Sequence, residues 1–196
     1  MPAADNKGEA RAPRRDWGIG EVLYEQASFI EQSSLIFLLS SSPNSAPDVS
    51  PRGDSPGFVK LSGRNVLQLP DRIGNNRLDT MQNLLVNPCV VAVFTRRGDE
   101  RALIVSGYAR ISVDPELLSK FEYNGKPPRS VMEIEVEDAK FQESSAFAAS
   151  GFWLADGSDR DCSVASLGEI LSDQVGGMTK DEGEAFIANS YTNKLY

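Results

Sequence analysis

The chain has 196 residues, a net charge of −8 and an apolar content of 40%, and it contains no histidine. The length and apolar content fit one globular domain with a buried core, and the acidic balance argues against a nucleic-acid-binding surface. The lack of histidine excludes serine–histidine and cysteine–histidine catalysis, histidine-ligated haem and the usual histidine-bearing zinc sites. Redox chemistry would therefore depend on an organic cofactor.

The spacing of the cysteines and the hydropathy of the sequence exclude further classes of protein. Cys89 and Cys162 are far apart and match no metal-ligand spacing, so no metal site is expected. Cys89 opens an apolar run, which predicts a small core residue. The sequence shows no signal peptide and no apolar run long enough to span a bilayer, so a cytoplasmic protein without a membrane or nucleic-acid partner is expected.

The pattern of polar and apolar residues predicts the elements of about the first 50 positions. Residues 1–16 are polar and charged and predict a disordered N-terminal arm, whereas residues 17–196 form the domain. Apolar residues at helical spacing predict a helix over residues 21–32, and a continuous apolar run predicts a buried strand over residues 34–41. A turn then leads into a strand that starts at Asp48, which makes this pair a hairpin.

A second hairpin and the clearest helix come next. Residues 58–61 and 66–69 predict two short strands joined across Gly63. Residues 75–86 place leucine and methionine on one face, which predicts an amphipathic helix that ends at the following Asn-Pro pair.

Three more strands are predicted in the second half of the chain. Two of them cover residues 89–95 and 102–113. After a short helix over residues 115–123, residues 131–137 alternate between apolar residues and glutamate, which is typical of a strand with one dry and one wet face.

From residue 141 onward the sequence is mostly helical and loop-like, with helices predicted over residues 167–175 and 180–189. Strands precede this helical tail, and no sustained βαβ alternation appears. The pattern therefore predicts a mainly β, α+β fold built on a small antiparallel barrel.

Two polar loops at strand ends carry the chemistry. The first contains Arg52, and the second contains Arg72 and Arg77 and leads into the predicted helix. Free N–H groups at a helix start, together with guanidinium groups, can bind a phosphate dianion, and each charge-assisted hydrogen bond contributes about 1.5–3 kcal/mol. The alternative is surface arginines beside an ordinary helix cap, and the spacing alone does not separate the two. Neither a Rossmann fingerprint nor a P-loop is present.

These loops carry a resemblance to a known family. Ser-Pro-Arg-Gly at residues 50–53, Pro-Gly-Phe-Val at residues 56–59, Leu-Pro-Asp-Arg-Ile-Gly-Asn-Asn-Arg-Leu-Asp-Thr at residues 69–80 and Asn-Pro at residues 87–88 resemble the pyridoxamine 5′-phosphate oxidase-related, FMN-binding split-barrel family. The resemblance covers residues 21–153, and the tail from Ser166 to the C-terminus is also similar to it.

The resemblance implies a six-stranded antiparallel split β-barrel with peripheral helices that forms a homodimer, with one FMN in each cleft between subunits. The strand with Val49 would run along the flavin ring and ribityl chain, and the arginines would hold the phosphate. Trp153 would lie near the flavin of the partner subunit, with an interface or core aromatic as the alternative. The implied cofactor-binding residues are Val49, Ser50, Arg52, Pro70, Asp71, Arg72, Asn75, Asn76, Arg77 and Trp153.

The chain also departs from its relatives. Residues 144–153 carry no charge, whereas relatives often have lysine and arginine before the tryptophan. The oxidase that forms pyridoxal phosphate is associated with an arginine–histidine substrate pair, which a chain without histidine lacks, so vitamin B6 oxidation is not expected.

The sequence therefore predicts an FMN-dependent oxidoreductase that acts on an unidentified small molecule, with NADH or NADPH as candidate electron donor and no nominated catalytic residue. The alternative is a non-catalytic flavin-binding or carrier protein. A third alternative is a split barrel that binds haem or a deazaflavin, and the lack of histidine weakens the haem version.

Overall fold

A computed structural model describes residues 22, 24–42, 44, 46–72, 78–143, 145–151, 153, 165–175 and 177–193. The N-terminal arm predicted over residues 1–16 lies outside this part of the chain. The elements, in chain order, are α1 (Tyr24–Gln32), β1 (Leu35–Ser41), β2 (Pro47–Gly53), β3 (Lys60–Ser62), β4 (Val66–Asp71), α2 (Asp79–Val86), β5 (Cys89–Thr95), β6 (Arg101–Ser112), α3 (Pro115–Ser119), β7 (Ser130–Glu143), α4 (Ser145–Ser150), α5 (Leu167–Gln174) and α6 (Lys180–Asn193).

The strands form one antiparallel sheet in the order β2-β1-β5-β6-β7-β4-β3. The predicted fold class, a mainly antiparallel sheet with peripheral helices, is confirmed. The described sheet has seven strands where the resemblance implied six, and the seven include the three-residue β3, which pairs only with β4. The two predicted hairpins, β1–β2 and β3–β4, are both present.

The core lies on one face of this sheet because alternate residues of each strand point to the same side. In β1 and β5 the alternation buries Ile36, Leu38, Ala92 and Phe94, each no more than 1% exposed. Helix α1 covers this face with Phe29 and Ile30, and burying such a side chain stabilises the fold by about 1.5–3 kcal/mol.

Strands β6 and β7 are the longest pair, and their register shifts at Ser106 and Gly107. A Cβ at Gly107 would lie 2.0 Å from the carbonyl oxygen of Glu135, so only glycine fits here. A bulge of this kind bends and twists the strands locally.

Three sequence-based expectations are corrected. Strand β7 continues to Glu143 instead of ending near residue 137, because β6 pairs with it as far as Arg101. Helix α2 begins at Asp79, not near residue 75, and its N-cap residue Leu78 makes no side-chain capping bond. Cys89 is exposed and is not a core residue, because the buried position at the start of β5 is Val90.

The helical tail follows β7, and the predicted helices there are confirmed as α5 and α6. Ser166 and Glu169 form a reciprocal capping box at the start of α5. A Cβ at Gly168 or Gly183 would clash with the facing helix, so the two helices pack backbone to backbone at these glycines. None of the helices in the described ranges has the length and apolar character needed to cross a bilayer.

Candidate functional site

The ends of β2 and β4 meet at a charged corner. We call Arg52, Asp54, Asp71 and Arg72 the arginine corner. β2 is at one edge of the sheet and β4 is next to the other edge, yet Arg52 contacts Asp71 and Arg72 contacts Asp54. The sheet therefore curls until residues from its two sides touch, as in a split barrel.

Arg72 is held firmly within this corner. Its Nε donates to Asp54 Oδ2 at 2.9 Å, and its Nη1 donates to the carbonyl oxygen of Phe121 at 2.9 Å. The guanidinium also lies over the ring of Tyr123, 5.4 Å from its centroid, and the side chain is only 15% exposed. Arg72 thus connects the end of β4 with the loop after β2 and the segment after α3.

A tight turn positions Tyr123 beneath Arg72. Tyr123 and Lys126 exchange two backbone hydrogen bonds of 3.0 Å, and the turn residues Asn124 and Gly125 have φ angles of 51° and 74°. Asn-Gly is the favoured pair for a two-residue turn that needs two positive φ angles. The turn therefore fixes the aromatic face against which the Arg72 guanidinium rests.

Arg52 and Asp71 form a looser pair. Their closest side-chain atoms, Arg52 Nη1 and Asp71 Oδ1, are 3.6 Å apart, and the two side chains are 23% and 18% exposed. Burial raises the pKa of Asp71 above its usual value, and the positive charges of Arg52 and Arg129 oppose this shift. The Arg129 backbone N–H donates to the Asp71 carbonyl oxygen at 3.0 Å, which places the start of β7 beside the corner.

The described charges of the corner are paired one to one. Arg52 faces Asp71, Arg72 faces Asp54, and Arg129 adds a positive influence near Asp71. An anionic group can bind to such an arrangement, because charge-assisted hydrogen bonds from guanidinium to phosphate are strong and directional.

The other predicted cofactor-binding residues divide into three groups. Val49 and Ser50 lie on the edge strand β2, with Val49 exposed and Ser50 half-buried, and Pro70 is buried in β4 next to Asp71. Trp153 stacks on Phe147 of α4, with ring centroids 6.0 Å apart and an interplanar angle of 24°. The last three, Asn75, Asn76 and Arg77, lie outside the described residues.

The face of the sheet opposite the core is apolar and open. Leu39 of β1 pairs with Val49 of β2 and with Val91 of β5, so the three side chains share this face. Leu39 and Val49 are exposed, as is Tyr108 of β6 on the same face. Contiguous apolar patches of this kind mark interaction surfaces in soluble proteins.

Asp54 of the corner was not predicted from the sequence, nor were its neighbours Phe121, Tyr123 and Arg129. The Asn-Gly pair predicts the turn beside Tyr123, but no pattern connects it with Arg72, which is 51 positions earlier in the numbering. The Asp54 contact depends on the curl of the whole sheet.

No group of three or more aspartate, glutamate, cysteine or histidine side chains that could bind a metal occurs among the described residues. What the corner offers is cationic side chains for an anion.

Comparison with solved structures supports the fold. HupZ of Group A Streptococcus matches with a TM-score of 0.51 at 15% identity, over 63% of this chain and 95% of that protein. A putative pyridoxamine 5′-phosphate oxidase from Lactobacillus delbrueckii matches with a TM-score of 0.50 at 17% identity, over 63% of this chain and 97% of that protein. At these identities the likeness concerns the fold.

No curated protein matches the sequence significantly. A family model described as pyridoxamine 5′-phosphate oxidase matches residues 23–143, which extend to the last residue of β7 and include the arginine corner. The match covers more than half of the chain, and the chain therefore belongs to the pyridoxamine 5′-phosphate oxidase family.

Proposed function

We propose that this chain binds FMN at the interface of a homodimer and acts as an FMN-dependent oxidoreductase on a small-molecule substrate. The observation that carries the proposal is the arginine corner, where Arg52 and Arg72 meet at the ends of two strands and the ion pair of Arg52 with Asp71 is 3.6 Å long. A flavin phosphate is the anion that family membership favours for this position.

The described residues fit the phosphate end of FMN. Among the described residues Arg52 makes one long ion pair and can turn toward a ligand, whereas Arg72 is fixed by Asp54 and the Phe121 carbonyl. Asn75, Asn76 and Arg77 would supply further donors. Among the described strands β2 pairs with β1 and forms one edge of the sheet, and this edge would lie alongside the ribityl chain and ring. FMN, when bound, supplies the hydride-accepting and hydride-donating chemistry.

The open apolar face supports the dimer. Leu39, Val49, Val91 and Tyr108 lie on it, and covering such side chains removes apolar surface from water at about 25 cal/mol per Å². A second copy is the simplest cover, because a twofold interface joins two identical patches. In that dimer Val49 of β2 would lie between the subunits, close to the corner.

A non-catalytic flavin carrier is the second candidate. Two features of the sequence favour it, namely the complete lack of histidine and the uncharged segment over residues 144–153. Histidine is therefore absent as an acid or base, and residues 144–153 supply no charged anchor for a substrate.

Cofactor binding by the purified full chain tests the proposal. We expect FMN to bind more tightly than riboflavin, which lacks the phosphate, and the particle mass to be twice 21.4 kDa. In the double variant Arg52→Ala, Arg77→Ala, FMN affinity should fall by about 100-fold or more, because two charge-assisted contacts are lost. Fluorescence titration of the flavin measures each dissociation constant.

Arg97→Ala is the matched control, because Arg97 is an exposed arginine in the β5–β6 turn. Unchanged FMN affinity in the double variant would contradict the phosphate assignment. Bleaching of bound FMN by NADH or NADPH, followed by reoxidation in air, would favour the oxidoreductase, and a flavin that neither nucleotide reduces would favour the carrier.

A further inference from the structure

Arg52 pairs with the carboxylate of Asp71, and this carboxylate occupies the position on Arg52 where a phosphate would bind. Asp71 Oδ1 lies 3.6 Å from Arg52 Nη1, and both side chains are mostly buried. Arg72 cannot take over as partner of Asp71 without leaving Asp54 and the Phe121 carbonyl, to which it is bound at 2.9 Å. Asp71 and an arriving phosphate therefore compete for the Arg52 guanidinium.

A phosphate on Arg52 changes the surroundings of Asp71. The carboxylate would lose Arg52 as its partner and face a dianion, with Arg129 as a remaining positive neighbour, while its side chain is only 18% exposed. Two negative charges a few ångströms apart in such a place are strongly unfavourable. Taking up one proton from solvent removes this conflict, since a neutral carboxyl group can donate its O–H to a phosphate oxygen.

We propose that Asp71 is the residue that couples flavin phosphate binding to protonation, holding Arg52 while the site is free and becoming a neutral hydrogen-bond donor when phosphate replaces it. This inference rests on the proposed function, because it presumes that the flavin phosphate binds at the arginine corner. It assigns Asp71 a role in selectivity: this residue sets how strongly the site favours a phosphorylated flavin and how that preference varies with pH.

The charged groups around Asp71 agree with this role. Arg52 from β2 and Arg129 from the start of β7 favour its charged form, and burial favours its neutral form. Asp54 and Arg72 neutralise each other beside it. Burial is the largest of these influences, so the pKa of Asp71 is already raised in the free protein.

The pH dependence has a definite sign. If binding takes up a proton at Asp71, FMN affinity decreases as pH rises, by up to about tenfold per pH unit between the pKa of Asp71 in the free protein and its higher pKa in the complex. The second ionisation of the phosphate monoester lies near pH 6, so the measurement belongs above about pH 7, where the ligand is a dianion throughout.

The experiment is calorimetric titration of the full chain with FMN at pH 7.5, in two buffers that differ in ionisation enthalpy. The difference between the observed heats counts the protons taken up. Wild type should take up protons and Asp71→Asn should not. Asp71→Asn should also bind FMN about tenfold more tightly. The asparagine amide still donates a hydrogen bond to the phosphate, and it carries no negative charge that repels the phosphate. Asp138→Asn is the matched control, since Asp138 is an exposed carboxylate that pairs loosely with Lys140 at 3.9 Å.

Each outcome decides something. Proton uptake that occurs in wild type and Asp138→Asn but is lost in Asp71→Asn supports the inference. Weaker FMN binding by Asp71→Asn, or equal proton counts in wild type and Asp71→Asn, overturns the inference and leaves FMN binding in place. Failure of wild type to bind FMN overturns the proposed function and this inference together. Riboflavin serves as the ligand control, because it has no phosphate to displace Asp71.

Discussion

Two regions of this molecule are built from the same parts, arginines around one aspartate, and they differ in how completely the parts are paired. The first is the turn between β5 and β6, where Asp99 lies between Arg96 and Arg101. The second is the arginine corner, where Asp71 faces Arg52. In the first, both arginines bind the aspartate closely, whereas in the second the described ion pair is 3.6 Å long.

In the turn between β5 and β6, each carboxylate oxygen of Asp99 accepts two hydrogen bonds. Asp99 Oδ2 accepts from Arg96 at 2.6 Å and from Arg101 at 2.9 Å, and Oδ1 accepts from the Arg101 side chain at 2.9 Å and backbone N–H at 3.0 Å. Both guanidinium groups lie over the ring of Phe29. The hydrogen bonds from Arg101 are the main reason why the pKa of Asp99 lies well below its usual range.

Asp71 shows the opposite behaviour, because the ion pair that it makes within the described part of the chain is long and burial raises its pKa. A carboxylate in a complete hydrogen-bond network stabilises the fold, whereas one with a single long ion pair leaves its arginine available. The close network at the turn therefore serves structure, and the long ion pair at the corner is the feature on which the proposed phosphate site depends.

Removing the Asp99 carboxylate should have the largest effect on stability. Asp99→Asn keeps the shape of the side chain but leaves two guanidinium groups without their counter-charge at a site where the aspartate is 8% exposed. Because the Arg96 and Arg101 side chains are 34% and 42% exposed and water can solvate them, we expect the free energy of unfolding to fall by about 1–2 kcal/mol. Urea denaturation followed by circular dichroism measures it.

Asp138→Asn is again the control and should change the unfolding free energy by less than about 0.5 kcal/mol, because exposed ion pairs contribute little. If Asp99→Asn were as mild as this control, the Asp99 network would not be structural, and the contrast between the two regions would disappear.

The two aspartates should also respond to pH with opposite signs. Because the folded-state pKa of Asp99 is lowered, its contribution to stability is present above its unfolded pKa of about 3.9 and is lost as pH falls through the folded value. Because that of Asp71 is raised, its relative contribution is present below its unfolded pKa and is lost as pH rises through the folded value.

Urea midpoints between about pH 2 and pH 7 test these signs. Asp99→Asn should lose less stability on acidification than wild type does, and Asp71→Asn should gain stability relative to wild type as the pH approaches neutrality. The same sign for both variants would mean that the two carboxylates are in similar surroundings, contrary to their contacts.

The smallest expected effect on stability is that of Arg52→Ala. The guanidinium makes one described ion pair, and that pair is 3.6 Å long, so the unfolding free energy should change by less than about 0.5 kcal/mol. A loss as large as that expected for Asp99→Asn would show that Arg52 is a structural residue and would remove it from the proposed phosphate site.

Much of the secondary structure could be predicted because it depends on local pattern. The apolar run of β5 was predicted with its observed bounds, and β6 was predicted to within one residue at each end. The second half of β7 was missed, because residues 138–143 are mostly polar and are strand only through pairing with β6. The burial of Cys89 was wrong for a related reason: an apolar run does not show which of its alternate residues faces the core.

The sequence by itself determined the antiparallel fold class and the family resemblance, because both depend on the residue pattern of short segments, whereas its assignment of arginines to a phosphate stays a prediction. Only the tertiary structure decided that Arg72 is held by Asp54 and the Phe121 carbonyl, whereas the described ion pair of Arg52 is long. That difference depends on the curl of the sheet, which brings Asp54 to Arg72 and Asp71 to Arg52 across residues that no local pattern relates.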